Sequence, residues 1–188
     1  MESSDSVSEE TVPYLRPPAS CPSEIEPLMA GLLRDLPGYA NRVAHRSLGL
    51  NEEVAGFGTI LVAGRAEFDP LDISTLTFSE GTAASPETIQ QVFFTTLERQ
   101  YTATQFVQLE QYHWLFLTAA EDGWRLALMF SRVAADETLA RPPTPPRETS
   151  EGIIGQAVRL WLRDCRAGAI YPVEPVEEAT VEESTTGR

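Results

Sequence analysis

The chain has 188 residues and a net charge of −14, from 28 Asp and Glu against 14 basic residues, every one of them Arg. Without a single Lys it builds no Schiff-base enzyme, P-loop or kinase-type phosphate lysine. So negative a chain is repelled by nucleic acid unless a local basic face overrides its field. An apolar content of 42% is enough for a core, and the length suits one domain with tails.

Residues 1–22 are rich in Ser, Glu and Pro with no hydrophobic period, which predicts a disordered tail. The opening MESSDSVSEE is acidic where a targeting peptide would be basic. A helix is expected from Ser23, which with Glu26 forms a Ser-x-x-Glu capping box. Its buried stripe runs Leu28, Leu32, Leu36, Tyr39 or Ala40, and Val43. Pro37-Gly38 should kink it, and Gly49 supplies a stop.

Four strands in series follow, as an antiparallel meander. They cover Phe57 to Phe68, residues 88–100, residues 103–119 and residues 124–133. Residues 88–100 fit helix or strand, and their β-branched and aromatic content favours strand; Glu121-Asp122-Gly123 is a hairpin turn. The run Arg141-Pro-Pro-Thr-Pro-Pro-Arg147 is a stiff extended connector. Although it contains PxxP spacing, a linker needs no partner. Ser150 is expected to cap a last helix with the stripe Ile154, Ala157, Val158, Trp161 and Cys165, ended by Gly168. Residues 174–188 carry five acids and one Arg and form a second disordered tail. The fold expected is therefore α+β over residues 23–173: a kinked helix, a four-stranded antiparallel sheet and a C-terminal helix.

Few residues offer chemistry. Cys21, His45, His113 and Cys165 lie 24, 68 and 52 residues apart, whereas structural zinc sites use paired ligands a few residues apart, so no metal is expected. Two such distant Cys suggest no disulfide framework and fit a reducing compartment. A Cys165–His113 nucleophilic pair lacks a Gly-rich elbow, and a free Cys is commonly a small buried hydrophobe. GRAEFDPL and GLLRDLPG match no phosphate loop, so no cofactor is expected. Glu98 and Glu110 read as solvated strand edges.

The third strand is more informative. One parity carries Tyr112, Trp114 and Phe116, the other His113, Leu115 and Leu117. Both faces are apolar, so the sheet should be covered on both sides there. Either it curls into a half-barrel with the aromatics inside, or it presents a partner surface. Arg34 and Arg42 on the first helix, with Arg159, Arg163 and Arg166 on the last, form basic helix faces. These are either solvated charges or a docking face for anionic lipid or an acidic partner.

The segments HWLFLTAAEDGWRLALMFSRV (113–133) and RLWLRDCRAGAI (159–170) resemble an uncharacterised family of cyanobacterial and plastid proteins. The resemblance implies a cytoplasmic or stromal protein working near thylakoid membranes, and brings no catalytic residue. No apolar run approaches a membrane span. The function expected is a non-catalytic binding or assembly-factor module with a protein partner and peripheral membrane contact. The alternative is a small apolar-ligand binder or enzyme whose pocket on the curved sheet is lined by Tyr112, Trp114 and Phe116, with His113 inside it.

Overall fold

The computed structural model describes residues 20–48, 58–69, 89–101, 106–136 and 140–172. Gly49, residues 1–19 of the first expected tail and all of the second lie outside these. The elements run α1 (Ile25–Leu48), β1 (Gly58–Glu67), β2 (Ile89–Tyr101), β3 (Phe106–Ala120), β4 (Gly123–Val133), β5 (Arg147–Glu148) and α2 (Ile153–Arg166). The fold is α+β, with one antiparallel sheet in the order β1-β2-β3-β4-β5.

Helix α1 runs unbroken through Pro37. Asn41 holds this turn, because its Nδ2 donates to the carbonyls of Pro37 (2.7 Å) and Ile60 (3.0 Å). Its Oδ1 accepts from the Ile60 amide at 2.9 Å, so one side chain joins the turn at the proline to β1.

The hairpin between β3 and β4 closes at Ala120 opposite Gly123, where the glycine takes φ +117°. A fifth strand of two residues adds to the four expected. Thr144 in the Pro-rich connector replaces the ladder bonds its neighbours cannot make: its amide donates to the Val133 carbonyl, and its Oγ1 accepts from the Val133 amide. Arg147 and Glu148 then pair with Ser131 and Phe130.

Ser150 does not cap α2. Its Oγ instead accepts from the buried Met129 amide at 2.9 Å, and Gly152 occupies the cap position without a side-chain bond. At the far end the Gly168 amide donates to the Cys165 carbonyl and the Ala169 amide to that of Asp164, a Schellman closure at the expected glycine.

Both helices pack on one sheet face. Their stripes meet Val92, Phe94, Leu115, Leu117 and Met129 in one core. Trp161 is fully buried there, its Nε1 donating to Asp35 Oδ2 at 2.9 Å. The cysteines overturn the reading of two separate thiols. Cys21 and Cys165 form a disulfide spanning 144 residues, with a Cα–Cα distance of 5.1 Å. Residues 20–22, assigned from sequence to a free tail, include this half-buried Cys21 packed against the core. Sequence spacing is uninformative here because tertiary packing brings the start of α1 beside the last turn of α2.

Candidate functional site

Strand alternation places His113 and the aromatics of β3 on opposite faces. On the helix side, His113 is 1% exposed, stacked near Phe94 with ring centroids 4.9 Å apart. Its Nε2 lies 2.8 Å from Thr96 Oγ1 and its Nδ1 2.7 Å from Ser131 Oγ. Ser131 Oγ in turn lies 2.7 Å from Thr149 Oγ1. Register explains the line, since His113 is directly opposite Ser131 on β4 and next but one to Thr96 on β2. Burial lowers the His113 pKa to about 3, because an imidazolium there would lose its hydration without gaining a carboxylate.

Beside this chain lies a partly open cavity of about 160 Å³. Thr96, His113, Ser131 and Thr149 form its polar side, while Ile60, Met129, Ile153 and Ile154 form its apolar side. Glu98 and Gln111 also line it, joined by a 2.8 Å bond from Gln111 Nε2 to Glu98 Oε2. Glu98 is thus a cavity wall rather than a solvated strand edge. Sequence pattern marks out none of Thr96, Ser131 and Thr149, because small hydroxyl residues are ordinary in strands and turns and acquire meaning only through what tertiary packing sets beside them.

The second face carries Tyr112, Trp114 and Phe116 with Phe93 and Phe130, all half-buried. Phe93 lies 5.9 Å from Tyr112 and 5.5 Å from Trp114 between centroids. Phe116 meets Phe130 edge-on at 6.3 Å. The Arg132 guanidinium sits 5.1 Å from the Tyr112 centroid and 5.8 Å from that of Trp114, within cation–π range. Pairing puts Gln91 opposite Phe116, Arg99 opposite Gln108 and Arg132 opposite Tyr112, all on this face. Gln91 Nε2, Arg99 Nε, Trp114 Nε1 and Arg132 Nε are each buried without a hydrogen-bond partner. All four are donors. Trp114 thereby differs from the chain's other two Trp, since Trp124 Nε1 donates to the Ser23 carbonyl and Trp161 Nε1 to Asp35.

The helix arginines are engaged locally. Arg34 pairs with Asp35 and donates to the carbonyls of Tyr171 and Pro172, while Arg42 stacks on Tyr39 at 4.4 Å. Arg159 pairs with Glu151, and Arg163 with Asp164. Arg166 donates to the Trp124 carbonyl at 2.6 Å. Tyr39 donates to Asp164 at 2.9 Å; its burial and this bond raise its pKa to about 12.

Among the described residues no group of three or more His, Cys, Asp or Glu is placed to hold a metal, and no described helix is long and apolar enough to cross a membrane. No protein-family model, curated protein or solved structure matches the chain.

Proposed function

We propose that this chain is a non-catalytic binding module, of the kind an assembly factor uses, that holds a protein partner against the aromatic face of its sheet. The observation that carries this reading is the set of four donors buried on this face without a hydrogen-bond partner. Leaving one buried donor unsatisfied costs about 1–3 kcal/mol, so such a face gains from a partner that supplies acceptors. Because Arg99 and Arg132 bring positive charge to it, the matching partner is a segment with carboxylates set between apolar side chains. Aromatic and Arg residues packed together are also the composition of interface hot spots.

Catalysis has less support. The Ser131–His113 contact has the reach of a nucleophile–base pair, but Thr96 rather than a carboxylate meets the other ring nitrogen. An imidazole with a pKa of about 3 is a weak general base at neutral pH. Peripheral membrane docking through Arg34, Arg42, Arg159, Arg163 and Arg166 is likewise secondary, since all but Arg42 already have a carboxylate within 4 Å.

The test is a panel of peptides alternating Glu with Leu or Val, against the same peptides with Gln in place of Glu. The Glu series should bind more tightly, and Trp114→Ala and Arg132→Ala should each weaken it at least tenfold. Equal binding of both series, or binding indifferent to both substitutions, refutes the proposal.

A further inference from the structure

We propose that the cavity between the sheet and the first turn of α2 is a second, independent site that takes a compact neutral ligand bearing one hydrogen-bond acceptor, a small cyclic ketone being the type. Size sets the first limit. A cavity of about 160 Å³ has room for about five waters, or for one ring of roughly six or seven heavy atoms.

The polar side sets the second. A neutral His113 has one N–H, and Thr96, Ser131 and Thr149 have one O–H each, so four hydrogens serve the three contacts among them. One hydrogen is always left over. If His113 carries its proton on Nδ1, Thr96 donates to His113 and His113 to Ser131, and the spare hydrogen is at the Ser131–Thr149 end, on whichever of the two does not donate to the other. If the proton is on Nε2, the order reverses and the spare hydrogen is on Thr96. Both threonines line the cavity. A ligand acceptor can therefore take the spare hydrogen at either end, and the imidazole tautomer records which end it chose.

Charge sets the third limit. Glu98 on the wall opposes an anionic ligand, and its carboxylate is already bonded to Gln111. The first turn of α2, whose cap residue Gly152 makes no side-chain bond, places the positive end of a helix beside the cavity and opposes a cation. An uncharged head is what remains. Ile60, Met129, Ile153 and Ile154 supply the surface for an apolar body. The site lies across the sheet from the aromatic face, so neither proposal depends on the other.

Cyclohexanone is the probe, with benzoate as the anionic control and methylcyclohexane as the control without an acceptor. Binding to the intact protein is followed by ligand-observed NMR, and the His113 tautomer by ¹⁵N shifts of the ring. Cyclohexanone should bind in the millimolar range or better, and at least tenfold more tightly than either control. It should also leave His113 in a single tautomer, Nδ1–H or Nε2–H, at saturation. Ile153→Trp, which fills the cavity from a half-buried position, should abolish binding. Thr96→Val with Thr149→Val, which removes both chain ends while keeping shape, should erase the advantage over methylcyclohexane. A native-like amide spectrum for at least one of these variants is the condition for reading it. No cyclohexanone binding, binding that survives Ile153→Trp, or equal binding of benzoate would each overturn the proposal.

Discussion

Replacing Cys21 by Ser should remove a large part of the domain's stability. The disulfide closes a loop across a separation of 144 residues, which contains the whole sheet and nearly all of both helices. In the chain-entropy model, opening such a loop costs about 5 kcal/mol at room temperature, while native disulfides typically contribute about 2–5 kcal/mol. The expected loss is therefore about 3–5 kcal/mol, set against the ~5–15 kcal/mol by which domains are usually stable. Cys21 is the better position to change because it is half-buried, whereas Cys165 is fully buried and a hydroxyl there would add a desolvation cost. Urea unfolding of the oxidised protein, the reduced protein and Cys21→Ser is the assay. The last two should coincide at a lower midpoint, and only the wild type should respond to reductant. Oxidised and reduced unfolding free energies agreeing within about 0.5 kcal/mol, the usual scatter of inconsequential changes, would refute the reasoning.

Acid should test His113. Its native pKa of about 3 lies below the ~6.5 of an unfolded chain. Between these values the unfolded state holds a proton that the native state refuses. The contribution is thus complete above pH ~6.5 and lost as pH falls toward 3, at up to about 1.4 kcal/mol per pH unit. His113→Gln should flatten that part of the stability–pH curve whatever its effect at neutral pH; an unchanged slope from pH-resolved urea melts would contradict the buried neutral ring. Trp161→Ala should cost roughly 3–5 kcal/mol by thermal or urea unfolding, and a loss under about 1 kcal/mol would mean that the indole is not in the core. Gly155→Ala should destabilise by at least about 1–3 kcal/mol, because a Cβ there would stand 2.2 Å from the Ser150 carbonyl oxygen; a neutral result would show that α2 does not pack on its own entry turn.

Periodicity made the scaffold legible. The stripe Leu28, Leu32, Leu36, Ala40 and Val43 and the stripe Ile154, Ala157, Val158, Trp161 and Cys165 are the buried faces of α1 and α2, and the strands fall within a few residues of where their patterns put them. Three features were hidden because nothing local marks them. The disulfide joins the two ends of the fold, which only helix packing brings together. Ser150 looks like a helix cap by position, yet a β4 amide competes successfully for its hydroxyl. The cavity network depends on register, since a shift of one residue would turn His113 to the other face. Alternation did show that β3 is apolar on both sides and that His113 and Trp114 face opposite ways, but it could not show which of the two faces the helices cover.

The indole N–H signals test the central claim most directly. The chain has three Trp, and Trp114 alone has an indole nitrogen that is buried without a protein acceptor. Its ¹H–¹⁵N peak, assigned by its loss in Trp114→Phe, should move downfield as a Glu/Leu peptide is added, and its exchange with water should slow. The peaks of Trp124 and Trp161 should stay in place. A peptide that binds while the Trp114 peak does not move, or that moves the other two instead, would contradict the assignment of the aromatic face as the binding surface.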